Sequence, residues 1–285
     1  MEISKHRLEV LKKIEDYETK GLFDLDVEND PPTRPLKPGE VDYVGKKRLT
    51  RIATLIANKV GQRHFEKMLK TGSVVLRDIK GQENLQSISD RGALITCNHF
   101  NPFDNYAVYK AICPILEKRN LYKIIREGNY TSFKGLYGYL FRHCNTLPLS
   151  SSISCMKEFM SALGVLLERG EKILIYPEQA MWYNYKKPRP LKLGCFRLAA
   201  KNNVPVLPIF ITLEDTDKTD TDGLIVQAYT VNILPAIFPD ESLTLRERTE
   251  KMCRENYKLW KETYESFYGI PLEYTTPGEV NICSI

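Results

Sequence analysis

The chain has 285 residues, of which 42% are hydrophobic and 27% are charged, so it is long enough to bury the core of one large α/β domain. These fractions exclude an extended disordered chain, and a formal net charge of +5 is only a mild basic excess. Beyond that basicity, nothing in the sequence indicates a nucleic-acid partner.

Cysteine usage and hydropathy indicate where the protein works. The seven cysteines are odd in number, scattered and without CxxC spacing, which predicts a reducing environment with no disulfide framework and no zinc site. The N-terminus is charged throughout and lacks the apolar core of a signal peptide. No apolar run approaches the roughly 20 residues that cross a bilayer. We therefore expect a cytoplasmic protein that is peripheral, on the inner face of the membrane.

Two N-terminal segments are predicted to precede the main domain. Residues 1–45 contain a charged helix, an acidic stretch and a proline-rich linker. Residues 46–75 are predicted to form a basic amphipathic helix, whose apolar residues recur at spacings of three and four: Leu49, Ile52, Ile56 and Val60. Such a helix is a candidate for lying on the headgroups of an anionic membrane surface. The alternative is a helix that caps the domain and turns its basic face to solvent.

Residues 76–285 are predicted to form the main domain, in which strands alternate with helices. The strands are expected at 93–98, 121–127, 171–178, 204–214 and 224–234. The helices are expected at 102–112, 154–170, 191–203 and after the capping box of Thr244 and Glu247. This order predicts an α/β fold with a mixed, largely parallel sheet flanked by helices, and with an N-terminal helical extension. In such sheets the active site forms at the carboxyl ends of the strands.

The segment Asn98-His-Phe-Asn-Pro-Phe-Asp104 follows the strand at 93–98. Asn101 is a good N-cap and Pro102 suits the first helical position, which places Asp104 at the third. From there the Asp104 carboxylate can turn back and accept a hydrogen bond from His99. A histidine held in this way is suited to take a proton from an alcohol near neutral pH. The alternative is structural, because an acidic residue in the first helical turn is favourable in itself.

Four ordered blocks resemble the glycerolipid acyltransferase family, the PlsC-like lysophospholipid acyltransferases, over about residues 75–265. NHFNPFD resembles the family's NHxxxxD block, and Tyr176-Pro-Glu178 resembles the start of its FPEGTRS block. Residues 191–200 resemble the KxGxxxxA helix, and residues 204–209 resemble the VPxxPI block. Four blocks in the family order are far more specific than any one of them.

The resemblance implies an O-acyltransferase in phospholipid biosynthesis, with His99 as general base and Asp104 as its orienting partner. It implies that the acyl donor is an acyl-CoA or acyl carrier protein thioester. The expected acceptor is a lyso-glycerolipid, most simply 1-acylglycerol-3-phosphate. Glu178 is expected to organise the site or contact the acceptor, or else to form a salt bridge that fixes its loop. Asn98 is grouped with Glu178 as a substrate-binding residue.

Departures from the family blocks concern the acceptor. Gln179-Ala-Met-Trp182 stands where the family has Gly-Thr-Arg, and residues 145–152 contain no arginine. We expect Arg126 and Lys192 to supply the phosphate-binding charge, together with other cations of the same segment: Lys186, Lys187 and Arg189. The alternative is a solvated basic loop, which leaves a glycolipid or other non-phosphate lipid as the acceptor.

Two further classes of function compete with acyl transfer. A non-catalytic lipid-binding relative is suggested by the missing arginines together with the basic helix. A thioester hydrolase is disfavoured, because the chain has no Gly-x-Ser-x-Gly elbow. It also has no HExxH, P-loop or Rossmann glycine pattern, so neither a metal nor a cofactor is expected.

Overall fold

The computed structural model describes residues 3–29 and 32–284. Its helices begin and end as follows: α1 Lys5–Lys20, α2 Arg48–Thr71, α3 Asp104–Ile112, α4 Glu127–Thr131, α5 Gly135–His143, α6 Ile153–Glu168, α7 Leu193–Lys201 and α8 Leu245–Tyr268. Its strands are β1 Val75–Lys80, β2 Ala93–Cys97, β3 Leu121–Arg126, β4 Thr146–Leu149, β5 Lys172–Ile175, β6 Leu191–Lys192, β7 Val206–Thr219, β8 Ile225–Ile233 and β9 Cys283–Ser284.

In this described part of the chain, seven strands form one sheet in the order β1-β8-β7-β2-β5-β3-β4. Neighbouring strands are parallel except β7 and β8, which are antiparallel. The predicted mixed, largely parallel α/β sheet with an N-terminal helical extension is therefore confirmed. The smaller pair of β6 and β9 joins the C-terminal segment to the start of α7.

The central strands are buried on both faces, so their side chains alternate between two cores. On β2, Ile95 packs in one core with α3, whereas Leu94 packs in the other with α6, α7 and α8. A third cluster joins Val10, Phe23 and Val27 of the N-terminal segment to Trp182. The segment before α2 thus packs on the main domain, and the boundaries at 45 and 75 stay a prediction.

Several predicted boundaries shift for local reasons. The strand predicted at 171–178 ends at Ile175, ahead of Pro177, which has no N–H for a ladder hydrogen bond. The strand predicted at 204–214 runs on to Thr219, because it pairs along its length with β8. The capping box of Thr244 and Glu247 is present at the start of α8. The edge strands β1 and β4 were not predicted, since their short, half-exposed sequences lack a clear apolar pattern.

The cysteine prediction is wrong for one pair. Cys253 on α8 and Cys283 on β9 form a disulfide, with their Cα atoms 6.3 Å apart. The two residues are 30 positions apart and meet only because the C-terminal segment returns along α8, which spacing in the sequence does not reveal. The cysteine pattern therefore no longer supports a reducing compartment. In residues 3–29 and 32–284, no helix is both long and apolar enough to span a membrane.

Candidate active site

Adjacent parallel strands bring the two main sequence blocks together at one edge of the sheet. His99 follows the end of β2 and Glu178 follows the end of β5, and these strands are hydrogen-bonded neighbours. Asn98 anchors the first loop, since its amide Nδ2 donates to the Ile211 carbonyl over 3.0 Å and its Oδ1 accepts from the Ile211 N–H over 2.8 Å. The Asn98 side chain is buried in this pairing with β7. Asn98 therefore holds the loop to β7, and its contact with a substrate stays a prediction.

His99 and Asp104 form the expected pair. His99 Nδ1 lies 2.7 Å from Asp104 Oδ2, with the imidazole 22% exposed and the carboxylate fully buried. The same oxygen accepts from the backbone N–H groups of Phe100 and Asn101, over 3.2 and 3.3 Å. Because an ionised carboxylate only accepts hydrogen bonds, Nδ1 carries the proton and Nε2 is left as the basic atom. The loop is therefore folded around one buried carboxylate.

The start of α3 differs from the prediction. Asp104 is the first helical residue, not the third, and Phe103 occupies the cap position. Asn101 closes a separate turn ahead of the helix, in which its Oδ1 accepts from the Phe103 N–H over 3.1 Å. The Asp104 N–H donates to the Asn101 carbonyl. The Asn-Pro sequence thus forms a turn that aims the carboxylate back at His99, which replaces the predicted N-cap arrangement.

Glu178 lies beneath the histidine loop with both carboxylate oxygens bonded to the chain. Its Oε2 accepts from the His99 N–H over 2.9 Å and from the Arg189 guanidinium over 2.9 Å, while its Oε1 accepts from the Arg189 N–H over 2.8 Å. Both side chains are buried, at 2% and 1% exposure. The predicted salt bridge that fixes the loop is present, and contact of Glu178 with an acceptor stays a prediction.

Arg189 is the residue whose role the sequence did not reveal. It was grouped with the basic run expected at a phosphate, yet its guanidinium also donates to the carbonyls of Phe23 and His99, and it lies over the Trp182 ring. The run itself is neutralised by carboxylates, because Lys186 pairs with Asp215 and Lys187 pairs with Glu18. The cations Lys186, Lys187 and Arg189 thus hold loops of the chain in place through ion pairs.

Arg126 and Lys192, the two residues predicted to bind phosphate, each contact an aspartate of the N-terminal acidic stretch. Arg126 pairs with Asp26, and Lys192 Nζ lies 3.1 Å from Asp24 Oδ2. Arg126 and Asp26 also line a cleft of about 570 Å³ beyond β3 and β4, with Asn129, Phe133 and Leu149 on its walls. Arg126 ends β3 of the main sheet, whereas Lys192 ends β6 of the two-stranded sheet, and their contact with a ligand stays a prediction.

The turn after β5 needs a left-handed residue. Gln179 has φ of +65°, and its N–H donates to the Tyr176 carbonyl over 3.0 Å. Glycine is the residue that adopts this conformation without strain, and glycine stands here in the family's FPEGTRS block. A non-glycine residue in this region costs on the order of 1–2 kcal/mol. Replacement of the family glycine by Gln179 therefore keeps the turn at some cost in stability.

Cys97 is unsuited to act as a nucleophile. Burial, together with the Asp104 and Glu178 carboxylates, raises the pKa of the Cys97 thiol well above its usual value. The thiolate is the reactive form of cysteine, so this residue stays an unreactive thiol at neutral pH. The position therefore favours a proton transfer centred on His99 over a cysteine–histidine pair.

Comparisons with known proteins bear on the family and the fold. Residues 77–212 match the family model described as acyltransferase. The chain is 30% identical over 156 residues to the 1-acyl-sn-glycerol-3-phosphate acyltransferase BAT2, chloroplastic, of Brassica napus. The matched region covers 52% of this chain and 41% of that protein. The chain thus spans less than half the length of this relative. It also resembles the crystal structure of the 1-acyl-sn-glycerophosphate (LPA) acyltransferase PlsC from Thermotoga maritima, with a TM-score of 0.52 and 17% identity over 81% of this chain and 87% of that one. At that identity the likeness shows the fold alone.

The buried Glu178–Arg189 pair generates a prediction for stability. We expect Glu178→Gln to lower the free energy of unfolding by about 3 kcal/mol, because it leaves the Arg189 charge buried without its partner. The double variant Glu178→Gln/Arg189→Met should recover part of that loss, measured by urea denaturation. Glu250→Gln, which breaks exposed pairs on α8, is the control and should cost under about 1 kcal/mol. A double variant with a free energy of unfolding no higher than that of Glu178→Gln would contradict the coupling.

Proposed function

We propose that the chain, whose residues 77–212 match the acyltransferase family model, is a PlsC-like acyltransferase that transfers a fatty acyl group to the hydroxyl of a lyso-glycerolipid. The donor in this proposal is an acyl-CoA or acyl carrier protein thioester. The observation that carries the proposal is the 2.7 Å contact of His99 Nδ1 with the buried Asp104 carboxylate, at the edge of the sheet where active sites form. The His99 side chain is 22% exposed, and the proposal places the acceptor hydroxyl at its Nε2.

The proposed reaction needs only this pair and the two substrates. Nε2 of His99 takes the proton of the acceptor hydroxyl as its oxygen attacks the thioester carbonyl carbon. Collapse of the tetrahedral intermediate breaks the C–S bond, and the leaving thiolate takes the proton back from the imidazolium. The Asp104 carboxylate stays ionised and stabilises the imidazolium meanwhile. The products are an ester and a free thiol.

The proposed acceptor is 1-acylglycerol-3-phosphate, the compound after which the Brassica napus relative is named. Arg126 and Lys192 are the cations proposed for its phosphate. Arg126 is the last residue of β3, which pairs with β5, and the Lys192 N–H donates to the carbonyl of Pro177, the neighbour of Glu178. The acceptor would have to replace Asp26 and Asp24 as their partners.

A second candidate acceptor is a glycolipid or other lyso-lipid without a phosphate. It is favoured by the same two ion pairs, because carboxylates already neutralise both cations. The absence of the family arginines at residues 145–152 and 179–182 points the same way. The two candidates differ in whether the headgroup competes with Asp24 and Asp26.

We propose further that α2 attaches the protein to an anionic membrane surface. Its buried residues include Ala57 and Phe65, whereas large apolar residues of its first half face solvent, with Leu49 80% and Leu55 72% exposed. The cations on and before the helix are exposed as well: Lys46, Lys47, Arg48, Arg51, Lys59, Arg63, Lys67 and Lys70. Exposed leucines beside a basic face suit a bilayer with anionic headgroups.

The catalytic proposal predicts the effect of removing the imidazole. His99→Gln should lower the rate of acyl transfer by about 100-fold to 10,000-fold with an unchanged melting temperature, because the general base is lost and the loop is kept. His64→Gln on α2 is the matched control and should retain activity. The assay supplies labelled acyl thioesters with a panel of lyso-lipids and identifies products by mass.

Three outcomes of that assay would contradict the proposal. Full turnover by His99→Gln would remove the role of the imidazole. Free fatty acid without acylated lipid would indicate a thioester hydrolase. No thioester consumption by the wild-type chain with any lyso-lipid would indicate a lipid-binding relative.

The acceptor is tested by the double variant Asp24→Asn/Asp26→Asn. If the acceptor carries a phosphate, kcat/KM for 1-acylglycerol-3-phosphate should rise about twofold to tenfold, because exposed ion pairs of modest strength no longer compete. The kcat/KM for an uncharged monoacylglycerol should stay the same. Asp16→Asn, which breaks the pair with Lys20 on α1, is the control. An equal change for both acceptors would contradict phosphate binding by Arg126 and Lys192.

The membrane proposal predicts that Leu49→Glu and Leu55→Glu each weaken binding to phosphatidylglycerol vesicles by about tenfold, since burial of a leucine contributes roughly 1.5 kcal/mol or more. Added salt should weaken the wild-type interaction as well, because it screens the basic face. Flotation of the protein with vesicles measures both effects. Ile225→Glu, an exposed position on β8, is the control. Equal flotation of all variants would exclude α2 as the attachment surface.

A further inference from the structure

Tyr176, the first residue after β5, contacts both members of the histidine–aspartate pair. Its hydroxyl donates to Asp104 Oδ1 over 2.5 Å. Its ring lies parallel to the His99 imidazole, with centroids 3.9 Å apart and an angle of 16° between the planes. One side chain thus touches the carboxylate by its polar end and the imidazole by its apolar face.

The contacts divide cleanly between the two oxygens of Asp104. Oδ2 accepts from His99 Nδ1 and from the Phe100 and Asn101 N–H groups, whereas Oδ1 accepts from the Tyr176 hydroxyl. The bonds to Oδ2 fix one end of the carboxylate, and the bond to Oδ1 fixes its rotation about the Cβ–Cγ bond. A planar group held at both oxygens presents a constant lone-pair direction to His99.

The ring of Tyr176 restrains the second member of the pair. An imidazole held through Nδ1 alone can still rotate about that hydrogen bond, which would swing Nε2 through an arc. Stacking of an aromatic ring on one face at van der Waals distance removes that freedom. The direction of Nε2 is therefore set jointly by Asp104 and Tyr176.

The charges around the pair determine what Tyr176 can do there. The groups that face His99 or Asp104 are Asp104 itself, Tyr176, Cys97, Tyr229, Glu178 and Arg189. Burial, with the Asp104 carboxylate next, raises the pKa of the Tyr176 hydroxyl well above its usual value. Burial and the same carboxylate raise the pKa values of Cys97 and Tyr229. Tyr176 therefore stays a neutral hydroxyl and acts as a permanent donor.

We propose that Tyr176 is a positioning residue for the His99–Asp104 pair, with its ring fixing the plane of the imidazole and its hydroxyl fixing the carboxylate. The proposal deepens the acyl-transfer function and rests on it for any effect on rate. The family block that begins FPEG has phenylalanine at this place, so the ring is shared and the hydroxyl is the feature that this chain adds.

Removal of the hydroxyl should change how the pair holds a proton. The Tyr176 hydrogen bond draws electron density from the carboxylate and stabilises its ionised form. Without that bond, Asp104 carries a more concentrated negative charge and stabilises the imidazolium of His99 more strongly. His99 in Tyr176→Phe should therefore accept its second proton at higher pH than in the wild-type chain. The acid limb of the pH profile of kcat/KM should move to higher pH by the same amount.

The experiment compares Tyr176→Phe with Tyr122→Phe. Tyr122 lies on β3 and packs in the other core, so its variant loses the same atom away from the pair. For Tyr176→Phe we expect the acid limb to rise by about half a pH unit. The kcat at neutral pH should fall about threefold to tenfold with little change in KM. Tyr122→Phe should leave both unchanged. Tyr176→Leu also removes the stacked ring and should lower kcat further.

A second readout does not depend on activity. The ¹⁵N chemical shifts of the His99 ring, assigned by difference from His99→Gln, report the tautomer and the protonation of the imidazole across pH. A shift of that titration in Tyr176→Phe supports the proposal even if no acyl transfer is found, in which case only the proposed function fails. A wild-type titration and pH profile in Tyr176→Phe, with acyl transfer intact, would overturn the role of Tyr176 and leave the proposed function standing.

Discussion

The buried carboxylate of Asp104 is the group around which the candidate site is arranged. Transfer of an ionised carboxylate from water into a protein interior is costly, and the cost is met only when hydrogen-bond donors and opposite charge surround it. Asp104 has four donors, from His99, Phe100, Asn101 and Tyr176. Three of them come from its own loop, and one comes from the residue that follows the neighbouring strand β5. The same bonds that satisfy the carboxylate therefore join β2 to β5 at the point where His99 is presented.

Glu178 is a second buried carboxylate whose oxygens accept hydrogen bonds from several donors, as those of Asp104 do. Glu178 receives the His99 N–H and the Arg189 guanidinium, and Arg189 in turn binds carbonyls of the N-terminal segment and the histidine loop. The histidine is thus held at its ring by Asp104 and at its backbone by Glu178. Such a network fixes one geometry, because a lost member leaves a buried charge unpaired. Trp182, whose N–H donates to the His99 carbonyl, packs with Phe23 and Val27 and so joins the N-terminal segment to this network.

The sequence was sufficient for the central sheet and for the contact of His99 with Asp104, because these depend on local patterns: apolar runs of strand length and a turn. It was not sufficient where contacts join distant segments. Arg189 looks like any cation in a basic run, and only the fold shows that it is buried beside Glu178. In the sequence, Tyr176 is an aromatic residue near the end of a strand. Only the fold shows that its hydroxyl contacts Asp104, 72 residues away. The pairing of Cys253 with Cys283 likewise depends on the path of the C-terminal segment.

Charge near the candidate site follows from the same long-range contacts and bears on the proposed binding of a lipid headgroup. In the sequence, Arg126 and the run from Lys186 to Lys192 suggest a standing positive field. In the fold, each of these cations has a carboxylate partner: Asp26, Asp215, Glu18, Glu178 and Asp24. A field of paired charges attracts anions weakly, so steering of a phosphate from solution contributes little. In the proposed function, discrimination between headgroups would then arise from exchange of partners at contact, in which a phosphate with two charges competes with the tethered carboxylates of Asp24 and Asp26. Because Asp24 and Asp26 belong to the segment that packs on Trp182, the proposed phosphate site would couple the position of that segment to the choice of acceptor.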